Sequence, residues 1–202
     1  KRMNSAIGFS RIIILIFIFV LWEIAACKEW IDPFIMSQPS RILRTIASMS
    51  KDGSLLMHTG ITVYETIIGF VSGTVLGTII AIALWWSNFL AKVLDPYLVV
   101  LNALPKTALG PIILVWIGGT TKSIIVMALL VSIIVTIINV FTSFSNCDED
   151  KIKLLKTFGA NKRQILRKVV LPTGIPTIIS TLKINVGLSL VGVIVGEFLV
   201  AR

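Results

Sequence analysis

Hydrophobic and polar positions fall in long blocks along this chain. The first apolar run opens IIILIFIFVLW and extends from Ile12 to about Cys27, interrupted by Glu23 and flanked by Arg11 and Lys28–Glu29. A helix crosses a bilayer with about 20 mostly apolar residues, so this run predicts a spanning helix. It has no small-residue cleavage site within reach and reads as a retained span rather than a removed signal. Residues 28–55 differ, with Pro33, Pro39 and Gly53 among charges at Asp32, Arg41, Arg44, Lys51 and Asp52. They predict an extramembrane connection. Within it, PSRILRTIASM predicts a short amphipathic helix opened by Pro39, with Ile42, Ile46 and Met49 on one face.

A second, uncharged span is predicted from Thr66 to Ala91, entered past Tyr64 and Glu65. Its Gly69, Gly73 and Gly77 form two overlapping G-x-x-x-G patterns on one helix face. Such a stripe lets another helix approach closely, either within one subunit or across a dimer. Lys92 and Asp95 predict a polar break, and Pro96 to Ile117 a third span interrupted by Pro105, Lys106 and Pro111. The turn Gly118–Lys122 leads to an uncharged fourth span, Ser123 to Phe144. Pro172 to Val200 predicts a fifth, carrying Pro176, Lys183, Asn185 and Glu197. The fold class is an all-α polytopic membrane protein with five visible spans.

Composition agrees. The 202 residues are 55% hydrophobic and 14% charged, with mean hydropathy +0.94, against about 45–50% apolar and about 25% charged in soluble domains. A disordered chain is equally excluded. Cys27 and Cys147 make no disulfide framework, and the lone His58 offers little to a metal site or catalytic triad. A chain starting at Lys1 reads as a fragment. Four of the nine surplus positive charges lie in residues 145–172, where Lys151, Lys153, Lys156, Lys162, Arg163, Arg167 and Lys168 face Asp148, Glu149 and Asp150. Bases mark the cytoplasmic side, which places this loop inside with Lys1, Arg2 and Arg11, and residues 28–55 outside despite their bases.

The basic loop has its own pattern. Acids open a helix and lysines follow, as the helix dipole favours. Ile152, Leu155 and Phe158 share one face, and Gly159 can end the helix in a left-handed conformation. A second amphipathic piece carries Ile165, Leu166, Val169 and Val170 and is expected to stop at Pro172. Two readings stand: an interfacial helix pair on anionic headgroups, or a docking element for a soluble partner.

The segment KLLKTFGANKRQILRKVVLPTGIPTI resembles the coupling-loop signature of permease subunits of binding-protein-dependent ABC importers. Gly159 falls on the family glycine, and Leu171–Pro172 and Pro176 on the family prolines. PSRIL, TVYETIIGF, LDPYLVVLNALPKTALGPIILVWIGG and VGLSLVGVIVGEFLV resemble the nitrate/sulfonate/taurine-type branch, which includes importers of thiamine precursors. The resemblance covers roughly residues 38–202 and rests on these pieces occurring together in order. It implies a single permease domain over 1–202 with the type I importer fold, a sixth span beyond the visible five, and a bacterial inner-membrane location. It implies a cytosolic ATPase that uses ATP, a solute-binding protein outside, and a second permease copy. No cofactor or metal is expected on this chain. No G-x-x-x-x-G-K-[ST] occurs in it, so hydrolysis by that route is not its own.

Carried over residue by residue, the resemblance assigns ATPase coupling to Lys153, Leu154, Leu155, Lys156, Phe158, Gly159, Ala160, Lys162, Arg163 and Arg167. Leu154, Leu155 and Phe158 form an apolar key, and Lys156, Lys162, Arg163 and Arg167 pair with acids on the ATPase rim. Two departures stand out. Lys153 occupies the position of the family glutamate, and Glu65 sits where many relatives carry arginine. Polar groups inside spans are candidates by default: Lys106 and Lys183 as a cationic wall, Glu197 at the exit, and Asn102, Asn139 and Asn185 as solute contacts or helix bridges. Rival readings are an ion-coupled secondary transporter and a membrane scaffold or sensor that recruits a cytosolic partner.

Overall fold

A computed structural model describes residues 2–200, and all regular structure among them is helical. Lys1 and Arg202 lie outside the described residues. The chain forms two compact units that divide within one long helix, after Gly60.

The first unit holds α1 (Arg2–Cys27), α2 (Pro33–Met36), α3 (Pro39–Lys51) and the opening of α4 (Ser54–Trp86). From Ile12 through Leu21 α1 is apolar all round and exposed, as befits a helix whose solvent is lipid. Its one acid, Glu23, accepts the Ser40 N–H at 3.0 Å. That N–H is one of the unpaired donors of the first turn of α3, so Glu23 ties two helices together. α3 starts at Pro39 as the pattern predicts. Beyond it, Asp52 Oδ1 accepts the Ser54 N–H at 2.9 Å. The bond holds the Asp52 carboxyl below the usual carboxylate range and places an anion at the N-terminus of α4.

The second unit continues with α5 (Asn88–Ala103), a 3₁₀ turn (Lys106–Leu109), α6 (Gly110–Ile117), α7 (Thr121–Ser145), α8 (Glu149–Thr157), α9 (Lys162–Ile165) and α10 (Leu171–Val200). Its core is α7 held between α4 and α10. Glycines face α7 from both sides. A Cβ on Gly69 would strike Ala128, one on Gly73 would strike Ser132, and one on Gly77 would lie 2.6 Å from Thr136 Cβ. From α10, a Cβ on Gly192 would lie 2.8 Å from Ala128 Cα, and one on Gly196 3.2 Å from Ile124 Cα. The stripe predicted on α4 therefore packs within the chain. A polar bridge crosses the same core. Asn185, fully buried on α10, donates to Thr74 Oγ1 on α4 at 3.0 Å and to Thr136 Oγ1 on α7 at 2.7 Å.

Several predicted boundaries move. α4 begins at Ser54 and ends at Trp86, and its 33 residues give about 50 Å of helix, well beyond a hydrocarbon core of about 30 Å. The break falls at Ser87, not at Lys92 and Asp95, which lie inside α5. Ser87 caps α5 by accepting the Leu90 N–H at 3.2 Å, and capping chemistry rather than charge sets the turn. The third span is broken, because α5 and the Lys106–Ile117 segment meet at 91°. With that pair counted once, the helices able to cross a membrane number up to five. The last correction concerns Pro172. Lys162 to Val200 runs as one 39-residue span, with a π-helical turn at Leu166–Val170. The Leu171 N–H bonds back to the Leu166 carbonyl, and this wider turn accommodates the missing N–H of Pro172 without ending the helix.

Two outcomes follow for stability. Gly73→Leu should lower the thermal midpoint of the purified protein, at a cost of at least about 1–3 kcal/mol from overpacking, whereas Gly60→Ala, with nothing within 4 Å of its Cβ, should not. Asn185→Ala should cost about 1–2 kcal/mol, near the upper end for hydrogen bonds between membrane helices, read in the same melting experiment.

Candidate functional site

The basic loop folds back against the membrane bundle. Asp148 starts α8 by accepting the Asp150 N–H at 2.9 Å, with Glu149 and Asp150 in the first turn where the helix dipole favours anions. Ile152 and Leu155 turn inward and join Val140, Phe144, Cys147, Ile165 and Val170 in one apolar cluster. The opposite face is open, with Leu154 57% and Phe158 77% exposed. The face predicted for Ile152, Leu155 and Phe158 is thus split: the first two hold the helix down, and Phe158 points away. Of the predicted apolar key, Leu154 and Phe158 are free and Leu155 is packed.

Gly159 has φ +75°, as predicted, and it closes α8. Its N–H bonds to the Lys156 carbonyl at 2.9 Å and the Ala160 N–H to the Leu155 carbonyl at 3.0 Å, the paired bonds of a left-handed helix stop. Asn161 then opens α9 with reciprocal bonds: its side chain accepts the Gln164 N–H at 2.9 Å, and Gln164 Oε1 accepts the Asn161 N–H at 2.8 Å. Both ends of this short hinge are satisfied, so the bend is built rather than loose.

The charges divide into paired and unpaired sets. Lys153, on the family's glutamate position, lies 3.3 Å from Glu149 and 3.5 Å from Asp150, and Lys151 lies 3.8 Å from Asp148. All are exposed, and such pairs are worth little individually. Lys162 does not point outward as expected. Its Nζ donates to the Trp86 carbonyl at 2.6 Å and sits 5.8 and 5.4 Å from the Trp85 and Trp86 ring centres. A lysine on the last carbonyls of α4 matches the dipole, and it commits Lys162 within the chain. Arg163, Arg167 and Lys168 line a shallow basic concavity on α9 and its π turn. Lys156 borders a cavity of about 490 Å³ between α8 and the ends of α4, α5 and α7, lined also by Trp85, Asn88, Phe141 and Lys162.

The candidate pathway residues do not converge. Lys106 Nζ donates to the Asn102 carbonyl at 3.0 Å and lies 3.4 Å from its Oδ1, so these two meet at the broken α5–α6 corner. Asn102 also lines a cleft of about 200 Å³ with Asp95, Ile138 and Thr142. Asn139 is half-buried on α7, and Lys183 is exposed on α10. Asn185 is fully buried, and its amide nitrogen bridges Thr74 and Thr136, the helix-bridging one of its two expected roles, while its Oδ1 has no hydrogen-bond partner among the described residues. Glu197 accepts the Thr62 hydroxyl at 2.5 Å. Sequence reasoning missed Glu65 as a buried group, although its place beside an uncharged run was a signal. The two cysteines are free, and no cluster of metal-ligating side chains occurs among the described residues.

Comparison with known proteins agrees with this architecture. The chain is 27% identical over 183 residues to the formylaminopyrimidine transport permease protein ThiX of Halalkalibacterium halodurans, covering 91% of this chain and 72% of that one. It is 25% identical over 182 residues to the putative aliphatic sulfonates transport permease protein SsuC of Bacillus subtilis, covering 90% and 66%. It is 22% identical over 207 residues to the taurine transport system permease protein TauC of Escherichia coli, covering 100% and 73%. Residues 73–202 match the family described as the binding-protein-dependent transport system inner membrane component. The match takes in α7, the basic loop and α10, and with it the chain belongs to that family, the inner-membrane permeases of ABC importers.

Proposed function

We propose that this permease is driven by a separate cytosolic ATPase docked on the 145–172 loop, and that α8 is the helix the ATPase grips. The observation that carries this reading is the two-faced α8. Ile152 and Leu155 anchor it to the bundle, while Leu154 and Phe158 stand exposed. An apolar pair on a helix with satisfied ends suits insertion into a groove. Lys156, Arg163 and Arg167 surround the pair with positive charge, which favours an acidic rim and speeds encounter. Lys153, Gly159, Ala160 and Lys162 act from behind: Gly159 and Ala160 make the stop, Lys153 neutralises the first turn of α8, and Lys162 fastens the loop to α4. ATP is bound and hydrolysed on the partner.

The basic loop is cytoplasmic in this reading, and residues 28–55 lie outside, where a solute-binding protein delivers its cargo. Two copies of the permease enclose the pathway. The cargo is a small organic solute or oxyanion of the nitrate, sulfonate, taurine or thiamine-precursor kind. The names of the similar permeases support this class. Asn102 and Lys106, joined at the broken corner, are the best-placed pathway pair, and their positive charge suits an anionic group. Asn139, Lys183 and Glu197 remain pathway candidates on separate helices. A secondary transporter or a scaffold is disfavoured by the family to which the chain belongs.

Phe158→Asp and Leu154→Asp should each abolish co-purification of the ATPase and cut ATP-driven uptake by about 30-fold or more, the effect of losing an anchor worth about 2 kcal/mol. The thermal midpoint should not move, because both side chains are exposed. If both variants keep the ATPase and transport, the docking assignment is wrong. For the solute, proteoliposomes with the ATPase and the cognate binding protein should show ATPase stimulation by one of taurine, an alkanesulfonate, nitrate or a formylaminopyrimidine. Stimulation by none of them sinks the proposed class.

A further inference from the structure

Glu65 is the one charged residue that is completely buried among the described residues, at 1% exposed. It lies on α4 at the end of the three-helix core remote from the basic loop, near the first residue of α7 and the last turns of α10. Neither of its carboxylate oxygens has a hydrogen-bond partner. Glu197 of α10 is held against α4 by Thr62, one turn before Glu65 on the same helix face, and it acts on Glu65 together with the hydroxyl of Thr121 from α7. Lys122, the next residue on α7, is exposed. Glu197 is half-buried and already accepts a hydrogen bond from Thr62.

Two ionised carboxylates accept hydrogen bonds and donate none, so neither can satisfy the other. Close like charges in a desolvated site do not both ionise, and a buried charge needs a partner. A single proton resolves both conflicts. It converts one carboxylate into a donor and leaves the pair with one negative charge. Glu197 is half-buried and holds the Thr62 hydroxyl, whereas Glu65 is fully buried with no hydrogen bond to either oxygen, so the proton is assigned to Glu65.

We propose that Glu65 and Glu197 form a proton-binding site in which the protonated Glu65 donates to the Glu197 carboxylate and pins α4 to α10. The proton comes from water and returns to water when the pair separates. The packed state therefore holds one proton more than a state with the two helices apart. Acid favours the packed end of the bundle, and alkali favours its opening. The site does not depend on the docking assignment for α8.

The test uses the full-length permease in lipid nanodiscs with its ATPase bound. Infrared spectroscopy at neutral pH should show the carbonyl stretch of a protonated carboxyl, shifted by exchange into heavy water. Glu65→Gln should remove it, because the amide donates to Glu197 without a proton. The thermal midpoint of the native protein should fall from mildly acidic to mildly alkaline pH, and the Glu65→Gln profile should be flatter. If that variant does not fold, Glu197→Gln serves, since its amide donates to an ionised Glu65 and the band is again lost. No acid band in the native protein at neutral pH, as a metal cation or an ion pair at the site would give, overturns the proposal. So does a band that survives both substitutions.

Discussion

Everything in the second unit depends on how closely three helices approach. In lipid the hydrophobic effect does not press helix against helix, because the surroundings are as apolar as the side chains. Contact has to come from packing and from hydrogen bonds. α7 meets both needs on two sides. Ala128 sits between Gly69 of α4 and Gly192 of α10, so backbone approaches backbone across a single methyl group. Asn185 then links Thr74 and Thr136, giving all three helices one shared polar centre.

The basic loop inherits its rigidity from this core. α8 rests on Val140 and Phe144 near the end of α7, and Lys162 is fastened to the end of α4. α9 passes through the π turn into α10 without a break. The loop is therefore connected to all three core helices. A force applied to α8 reaches the membrane through packed side chains and a continuous helix. The proposed docking of an ATPase on α8 requires this mechanical continuity.

Much of this was legible beforehand. The long apolar blocks located the spans, because crossing a bilayer demands length and hydropathy that few soluble segments share. The left-handed stop at Gly159 and the α3 start at Pro39 were legible for a local reason, since backbone restrictions on glycine and proline act within a few residues. Misplaced boundaries had local causes too. Uncharged sequence continues through Ser87, so the capping serine carries no charge signal of the kind that Lys92 and Asp95 give. Pro172 looked like a stop, but a turn of wider pitch absorbed it.

The sequence by itself determined the membrane class, the order of the spans, the family resemblance and the basic hinge, all of which follow from hydropathy and local backbone chemistry. Tertiary structure alone decided which side of each helix meets a neighbour. It turned Leu155 inward and Phe158 outward on the same short helix, committed Lys162 to the end of α4, and made Asn185 a bridge between Thr74 and Thr136. It also brought Glu65 to face Glu197, 132 positions away in the chain. Periodicity says that a residue lies on a face. Only the packing of distant segments says what that face touches, and in lipid the answer rests on small differences in side-chain size and hydrogen bonding that no single stretch of sequence contains.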